Sequence, residues 1–326
     1  MSDKLVPHLT ALAVAAMLTS LVQSAQAAAT NLSANATANA NGAPGTPYGT
    51  SNLPEFISAG SSAFDGFNQG SGDAFSRSTG AYAVSSSAAA IGSGSGNTSL
   101  QFSFTNTGVG QTFSAGFHLY GGSVGNSVSS ALTGAETLIS TYLARITVGT
   151  TERFSSGATV TTTATGSTLS TSGTVLNPGD NGTDGFYSWS ALDLVLDLGF
   201  LNTGDTIDIL AELSSTSTAN VGTYSYDCGG GGYGGYGGYG GYEVLSDIAL
   251  SSVVEGPGNG TCEAAKGSTS AFYGDPATIA GIDDGSNAVP PANQGVVFAN
   301  DVPEPGALAL VGLALAGLGW TRRRAR

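Results

Sequence analysis

Strict alternation of apolar and polar residues is the feature that most limits what this chain can fold into. It is clearest over residues 189–198, which read Trp-Ser-Ala-Leu-Asp-Leu-Val-Leu-Asp-Leu. Because successive side chains of a strand point to opposite faces, Asp193 and Asp197 fall on one face. The other face carries Leu192, Leu194, Leu196 and Leu198. An Asn-Thr-Gly-Asp turn at 202–205 leads into residues 206–213, and the pattern predicts a pair of strands joined by this turn.

Further strand patterns recur along the chain, at 100–104, 113–120, 142–148, from Arg153, at 242–250 and at 296–298. Glycines at 108–110 predict a hairpin between the first two of these strands. The β-branched, mostly polar residues 159–165 fit an edge strand or an exposed face. Helix signals are few, with one weak candidate at 127–142. The sequence therefore predicts an all-β fold, an antiparallel β-sandwich over residues 61–300.

Residues 28–60 differ from the segments that follow. They are rich in Ala, Asn, Thr and Gly and contain Pro44, Pro47 and Pro54. This composition predicts a flexible lead-in to the sandwich.

The charge of the chain is uneven. Nine basic and 23 acidic residues give a formal net charge of −14. Five of the basic residues lie near the two ends, so residues 28–301, the body, hold 4 basic and 21 acidic residues and a net charge of −17. Such a body repels phosphate backbones, which argues against nucleic acid as a partner. The acidity favours solubility, although it would also attract divalent cations or basic surfaces.

The N-terminus has the pattern of a secretory signal. Lys4 precedes an apolar stretch from Leu9 to about Val22, which predicts a signal helix. Ala25-Gln26-Ala27 supplies the small residues that signal peptidase requires, so cleavage is expected after Ala27. We therefore assign residues 1–27 to a signal peptide that uses the Sec machinery.

The C-terminus combines three elements. Val302-Pro303-Glu304-Pro305 precedes fifteen uncharged residues, 306–320, and the chain then ends in Arg322, Arg323, Arg324 and Arg326. A helix of that length spans about 22 Å, which is short for a bilayer core of about 30 Å. The prolines prevent a helix from running in from the body, so Glu304 stays accessible. By the positive-inside rule the arginines remain cytoplasmic and the body lies outside.

The order of these elements at residues 302–326 closely resembles the PEP-CTERM sorting signal of Gram-negative bacteria. The resemblance implies recognition and processing by exosortase, a membrane-embedded enzyme, after the C-terminal transmembrane helix has held the chain transiently in the inner membrane. It further implies a final location at the cell surface or outside the cell, in bacteria that make extracellular polysaccharide. An ordinary tail anchor remains the alternative.

Cys228 and Cys262 are the only cysteines. In an oxidising compartment a disulfide between them is expected. The loop between them begins with a Gly/Tyr-rich insertion at 229–242 whose tyrosines recur every third residue, at Tyr233, Tyr236, Tyr239 and Tyr242. These rings are candidates for surface contact, for example with sugars, and a low-complexity spacer is the alternative.

Motifs for chemistry are weak throughout. Gly121-Gly122-Ser123-Val124-Gly125 matches a nucleophile elbow, but the required histidine does not follow it, because His118 precedes Ser123. Asp180, Asp184 and Gly185 imitate part of a calcium loop and are better interpreted as a turn, as are residues 283–285. Asp193 and Asp197 would suit a glycosidase, yet solubility also explains them. We predict no catalytic residue, cofactor or metal site.

These observations favour an exported, non-catalytic structural or interaction protein of the cell surface or extracellular matrix. A carbohydrate-binding surface module, using the Gly/Tyr insertion or exposed aromatic residues of a sheet, is the alternative. A secreted hydrolase is the least favoured.

Overall fold

The computed structural model describes residues 29–78, 80–107, 109–227 and 261–274, together with short strands at 25–26, 254–255 and 297–300. These residues form strands and turns, with no helix among them. In chain order the strands are β1 (Ala25–Gln26), β2 (Asn31–Ala40), β3 (Ala43–Pro44), β4 (Thr46–Leu53), β5 (Phe56–Asp65), β6 (Asn68–Arg77), β7 (Tyr82–Ala89), β8 (Ile91–Thr105), β9 (Gln111–Leu119), β10 (Gly122–Val128), β11 (Thr137–Val148), β12 (Thr151–Thr163), β13 (Gly166–Gly173), β14 (Phe186–Trp189), β15 (Leu192–Leu201), β16 (Thr206–Asn220), β17 (Thr223–Asp227), β18 (Val254–Glu255), β19 (Thr261–Ala265), β20 (Gly267–Gly274) and β21 (Val297–Asn300).

Two seven-stranded sheets face each other. The front sheet has the order β14-β10-β20-β7-β6-β5-β4, and the back sheet has the order β13-β12-β11-β16-β8-β2-β3. Smaller sheets of four strands (β1-β21-β9-β15) and three strands (β17-β19-β18) complete the described fold. The strand pairs are antiparallel. The prediction of an all-β antiparallel fold is therefore confirmed, and its arrangement is sandwich-like.

Over part of their area the two sheets are packed by small residues. Glycines of β6 and β8 form what we call the glycine seam, which consists of Gly70, Gly72, Gly92, Gly94 and Gly96. At these positions the backbones of the two sheets nearly touch. Hydroxyl groups bond directly across the seam: Ser217 Oγ donates to the Ser86 carbonyl at 3.1 Å, and Thr98 Oγ1 donates to the Phe75 carbonyl at 3.0 Å. Sheets at the usual separation of about 10 Å could not make such bonds.

Elsewhere the core is aromatic. Tyr142 of the back sheet packs against both Trp189 and Tyr273 of the front sheet, with ring centroids 4.0 and 5.4 Å away, and the rings of Trp189 and Tyr273 lie 5.2 Å from each other. Tyr187 lies 5.7 Å from Trp189 and is fully buried. The four-stranded sheet joins this core through Phe113, whose ring meets Phe104 edge-on at 4.8 Å. Large rings at one part of the interface and glycines at another give the two sheets a separation that varies along the sandwich.

Two strand pairings differ from the prediction. The strands at 100–104 and 113–120 both exist, as parts of β8 and β9, but β8 pairs with β16 and β2 whereas β9 pairs with β15 and β21. The turn at 202–205 likewise joins β15 to β16, which belong to different sheets. Both turns therefore carry the chain from one sheet to another, and the expected hairpin and strand pair are not formed. Residues 142–148 and the strand from Arg153 do form a hairpin, as β11 and β12.

Other predictions are corrected or lie outside the described residues. The expected lead-in at 28–60 contributes β2, β3, β4 and part of β5, and β2 pairs with β8 over ten residues. The weak helix candidate at 127–142 is not a helix; it covers the end of β10, a loop and the first half of β11. Strand 296–298 is confirmed by β21, whereas the strand at 242–250, the signal helix and the C-terminal helix lie outside the described residues. Within the described part, no helix is long and apolar enough to cross a membrane.

Candidate functional site

The outward face of the back sheet carries hydroxyl groups in rows that cross six strands. In one row, cross-strand register aligns Ser170, Thr159, Thr141, Thr216, Ser95 and Thr37. The row on one side of it holds Thr168, Thr161, Ile139, Thr218, Ser93 and Asn39, and the row on the other side holds Ser172, Gly157, Leu143, Ser214, Asn97 and Asn35. We call these three rows the hydroxyl face. None of its residues is charged, although the body as a whole is strongly acidic.

Neighbouring hydroxyls on this face are bonded to each other. Thr37 and Ser95 lie 2.7 Å apart at their hydroxyl oxygens, and Thr141 and Thr159 lie 3.0 Å apart. These bonds hold the side chains in a fixed pattern. In each bonded pair the accepting hydroxyl still has its own proton to donate, and both oxygens keep lone pairs that can accept from solvent or a partner. The face therefore offers an ordered, uncharged array of donors and acceptors.

Charged residues gather beyond the third row. Arg145 of β11 faces Glu212 of β16 across the strands, and its Nε lies 3.7 Å from a carboxylate oxygen of Glu152. Further along, Asp208 accepts a hydrogen bond from Ser103. The back sheet is thus divided into a neutral region and a charged border.

A second surface lies on the outward side of the front sheet. There the register aligns Tyr48, Gly60, Asp73, Ser85, Phe272, Ser123 and Ser188 across seven strands. A β-carbon at Gly60 would lie 2.7 Å from Cε2 of Tyr48, so the Tyr48 ring rests directly on the bare backbone of Gly60. Tyr48 is nevertheless 45% exposed, which leaves part of its ring open to solvent.

The hydroxyl of Tyr48 anchors this ring. It donates to Oδ1 of Asp73 at 2.6 Å, while Ser85 Oγ donates to Oδ2 of the same carboxylate at 3.3 Å. Burial raises the pKa of Asp73, although these two hydrogen bonds act in the opposite direction. Burial, the hydrogen bond to Asp73 and the charge of Asp73 raise the pKa of Tyr48 well above its ordinary value. We call Tyr48, Gly60, Asp73 and Ser85 the Tyr48 platform.

The structure separates the residues of the weak catalytic motif. Ser123 lies inside β10, in the row of the Tyr48 platform, rather than at a sharp strand-to-helix turn. His118 lies on β9 in the four-stranded sheet, opposite Asp193 of β15. The backbone arrangement that a nucleophile elbow requires is therefore absent at Ser123.

The two acidic motifs have local structural roles. Asp180 Oδ1 accepts a hydrogen bond from the Gly182 N–H at 2.9 Å, and Asp184 Oδ1 accepts one from the Phe186 N–H at 3.0 Å. This loop is a turn, as expected. On β15, Asp193 and Asp197 are exposed while Leu196 and Leu198 are buried, so the predicted faces are confirmed there; Leu192, at the strand start, is 38% exposed.

Several predicted site residues are only partly covered by the described structure. Cys262 lies buried on β19 and is not a free thiol, but Cys228 lies outside the described residues, so their pairing stays a prediction. Ala25 lies in β1 opposite Phe298, and cleavage after Ala27 would leave β21 paired with β9 alone. The remaining predicted residues outside the described part are Ala27, Tyr233, Tyr236, Tyr239, Tyr242, Val302, Pro303, Glu304, Pro305, Arg322, Arg323, Arg324 and Arg326.

The sequence interpretation missed both surfaces. Only one sequence pattern pointed to the hydroxyl face. It is the run of threonines at 159–165, which predicts an edge strand or an exposed face. Thr159 and Thr161 do lie on an exposed face, but β12 is paired on both sides and is no edge. Tyr48 carried no signal, because its segment reads as a flexible lead-in.

The described fold defines an all-β protein of antiparallel, sandwich-like architecture. Comparison with known protein families matches residues 301–324 to the PEP-CTERM protein-sorting motif. The predicted resemblance at the C-terminus is thereby confirmed, and the motif indicates an exported protein that exosortase processes and that is sorted to the surface or the extracellular space. No curated protein matches the chain.

Proposed function

We propose that the exported body is a non-catalytic structural or interaction protein of the cell surface or extracellular matrix. The observation that carries this proposal is the hydroxyl face. Hydroxyl and amide groups bond to a neutral polymer or protein surface without the desolvation cost of burying unpaired charge. The acidic remainder of the body keeps the protein soluble until that face is engaged.

The non-catalytic part of the proposal rests on the placement of Ser123. Its position within a strand gives it neither the exposed turn nor the backbone oxyanion hole of a hydrolase. Within the described residues, moreover, no three His, Cys, Asp or Glu side chains are grouped closely enough to hold a metal ion. Hydrolysis of a broad substrate panel that is lost in a Ser123→Ala variant would overturn this part.

The interaction role is tested by placing charge on the face. In a triple variant, Thr141→Glu, Thr159→Glu and Thr216→Glu, three carboxylates stand in one row of the hydroxyl face. The matched control places the same charge on exposed loop residues, through Thr107→Glu, Ala131→Glu and Ala135→Glu. We expect the face variant to move from the cell-surface or matrix fraction into the medium and the control to stay. Equal retention of both variants would contradict the proposal.

A carbohydrate-binding role is a second candidate, and the Tyr48 platform favours it. An aromatic ring lying flat on a sheet offers its face to the C–H groups of a sugar ring, while its polar edge is held in place. Asp73 and Ser85 lie directly beside it, and the oxygens of both side chains keep lone pairs that can accept hydrogen bonds from sugar hydroxyls. Because Asp73 and the whole body are acidic, the expected ligand is a neutral glycan.

Binding to an array of neutral glycans tests this candidate. Tyr48→Ala removes the ring and should weaken binding at least tenfold, about 1.4 kcal/mol. Tyr48→Phe keeps the ring and should lose less. Phe64→Ala is the control, because Phe64 is 67% exposed on neighbouring β5 and lies outside the platform. If deleting residues 229–242 abolishes binding while Tyr48→Ala does not, the Gly/Tyr insertion is the sugar contact instead.

A further inference from the structure

Strand β13 forms an open edge of the back sheet. It pairs with β12 through eight consecutive residue pairs, from Ser156–Gly173 to Thr163–Gly166, without a register shift. Within the described residues no strand pairs with its other side. Thr168 and residues 170–173 are exposed, so the edge is accessible along most of its length. An edge of this kind presents unpaired backbone N–H and C=O groups to any strand that approaches.

The other edges of the two large sheets are short or interrupted, whereas β13 is neither. In the front sheet, β4 contains Pro47 and shifts register between Tyr48 and Ser51, and β14 has four residues. At the far end of the back sheet, β3 has two residues, one of them Pro44, and pairs only with the end of β2. The rest of β2 is interrupted as an edge, because its Ala38 carbonyl accepts from the Gly45 N–H and its Ser33 carbonyl accepts from the hydroxyls of Ser76 and Thr98. Proline, bulges, charge and short length are the usual means of preventing edge pairing. The eight residues of β13, Gly-Ser-Thr-Leu-Ser-Thr-Ser-Gly, include no proline and no charge.

The strand is held in place from one side. A β-carbon at Gly182 would lie 2.7 Å from Cβ of Leu169, so the loop after β13 packs on the inner side of that leucine. Leu169 is half-buried and also packs against the main hydrophobic core, whereas its neighbours Thr168 and Ser170 remain exposed. The edge is therefore kept extended by β12 and by this loop without being covered.

The chemistry of β13 suits pairing with itself. Two copies related by a two-fold axis perpendicular to the sheet can extend it antiparallel, with residues of the same face opposite each other. With the axis at Ser170, Thr168 of one copy faces Ser172 of the other. The same kind of hydroxyl pair already links Thr37 to Ser95 within the sheet. The body is acidic enough to repel a second copy, and this uncharged strand adds no charge of its own to that repulsion.

We propose that β13 is a self-association edge through which two copies of the chain pair antiparallel and form one continuous sheet. The partner is thus a second copy of this chain, bound through backbone hydrogen bonds and hydroxyl pairs. The dimer would also join two hydroxyl faces into one surface. This inference does not rest on the proposed function, since a monomer could equally engage a neutral partner.

Sedimentation velocity of the exported protein recovered from its host tests the proposal. The edge variant is Thr168→Lys with Ser170→Lys. The matched control is Thr216→Lys with Thr218→Lys, which puts the same charge on the same face but on interior strand β16. We expect the wild-type protein and the control to be dimers. The dissociation constant of the edge variant's dimer should be at least tenfold higher than theirs. Circular dichroism and the Tm establish that both variants are folded.

A cysteine scan provides a second readout that does not depend on added charge. Under mild oxidation, Ser170→Cys should form a disulfide between copies, because with the axis at this position the two residues 170 face each other, and opposing residues of an antiparallel pair approach closely. Thr218→Cys should form none. A monomeric wild-type protein, or dimers that persist equally in the edge variant, would overturn the proposal; the latter result would point to association through another segment such as the apolar C-terminus.

Discussion

Gly94 of β8 lies so close to Ser71 of β6 that a β-carbon at position 94 would come within 1.7 Å of the Ser71 carbonyl oxygen. Gly92 has the same relationship to the Gln69 carbonyl, at 1.8 Å, and Gly72 to the Ser95 carbonyl, at 2.0 Å. The glycine seam is therefore a direct contact between the backbones of two facing sheets. Any side chain there would force the sheets apart and break the hydroxyl bonds that cross them.

Gly94→Ala should therefore destabilise the fold strongly. Overpacking a well-packed core costs about 1–3 kcal/mol, and contact with rigid backbone leaves little room for relaxation, so we expect a loss at the upper end of that range or beyond. Urea unfolding measures it. Gly179→Ala is the control, because the nearest atom to its added β-carbon is a flexible side-chain oxygen 3.8 Å away. Similar stability of the two variants would show that the seam can open without cost.

The buried carboxyl of Asp73 should make stability depend on pH. Since burial raises its folded-state pKa, the folded protein binds a proton more tightly than the unfolded chain does. The tighter proton binding stabilises the folded protein. This stabilisation is fully present below the pKa that Asp73 has in the unfolded chain, and it is lost as the pH rises through the pKa that it has in the folded protein. Asp73→Asn removes this titration, so its Tm relative to wild type should be higher at pH 7 than near pH 3. A constant difference between the two Tm values across this range would contradict the raised pKa.

The ion pair between Lys266 and Glu136 should give the opposite pH dependence. Lys266 Nζ lies 2.5 Å from Glu136 Oε1 and joins the turn before β20 to the loop before β11. The hydrogen bond from Lys266, with one from the Thr133 N–H, lowers the pKa of Glu136. The ion pair therefore stabilises the fold above the pKa that Glu136 has in the unfolded chain, and this stabilisation is lost as the pH falls through the pKa that Glu136 has in the folded protein.

Lys266→Gln should therefore lower the Tm at pH 7 and have little effect near pH 2. Arg145→Gln is the matched control, because Arg145 and Glu152 are 3.7 Å apart and both side chains are 50% exposed. Exposed pairs of this kind contribute little to stability. Equal Tm losses in both variants at pH 7 would show that the closer, less exposed pair has no special role.

The predicted disulfide between Cys228 and Cys262 should be detectable in the exported protein. In the chain-entropy model, closing a loop of this length stabilises by about 3–4 kcal/mol, so mild reduction should lower the Tm by several degrees. A thiol count on the denatured, non-reduced protein should find no free thiol. Two free thiols would exclude the bridge.

Processing at the sorting motif predicts the mass of the mature protein. Since the motif at residues 301–324 indicates processing by exosortase, mass spectrometry of the protein from its host should find no arginine tail, residues 322–326. In cells without exosortase the tail should remain. An intact tail in both cases would contradict removal and would indicate that the segment is retained as an anchor.

Local pattern located several of the strands, from β8 to β16, but not their partners, and it missed the strands between β2 and β7. The faces of β15 follow from alternation, and Leu196 and Leu198 are buried as expected. Alternation cannot say which strand lies alongside, because many strands of the same period compete for one edge. β8 and β16 pair although residues 105 and 206 are about a hundred positions apart, while β8 and β9, and likewise β15 and β16, are joined by short turns and belong to different sheets. The flexible lead-in expected at residues 28–60 differs from the structure for a related reason. The residues of β2 become a strand by pairing with β8, which their own composition does not indicate.

By itself, the sequence determined the all-β class, the faces of individual strands and the sorting motif, because each is encoded in a short contiguous stretch whose chemistry needs no distant partner. Only the tertiary structure decided the hydroxyl face, the Tyr48 platform and the glycine seam. Thr37 and Ser170 enter the same row through the register of six strands, and Tyr48 reaches Asp73 only because β5 lies between them. Register is a property of paired strands, so surfaces that depend on it cannot be recognised from any one segment.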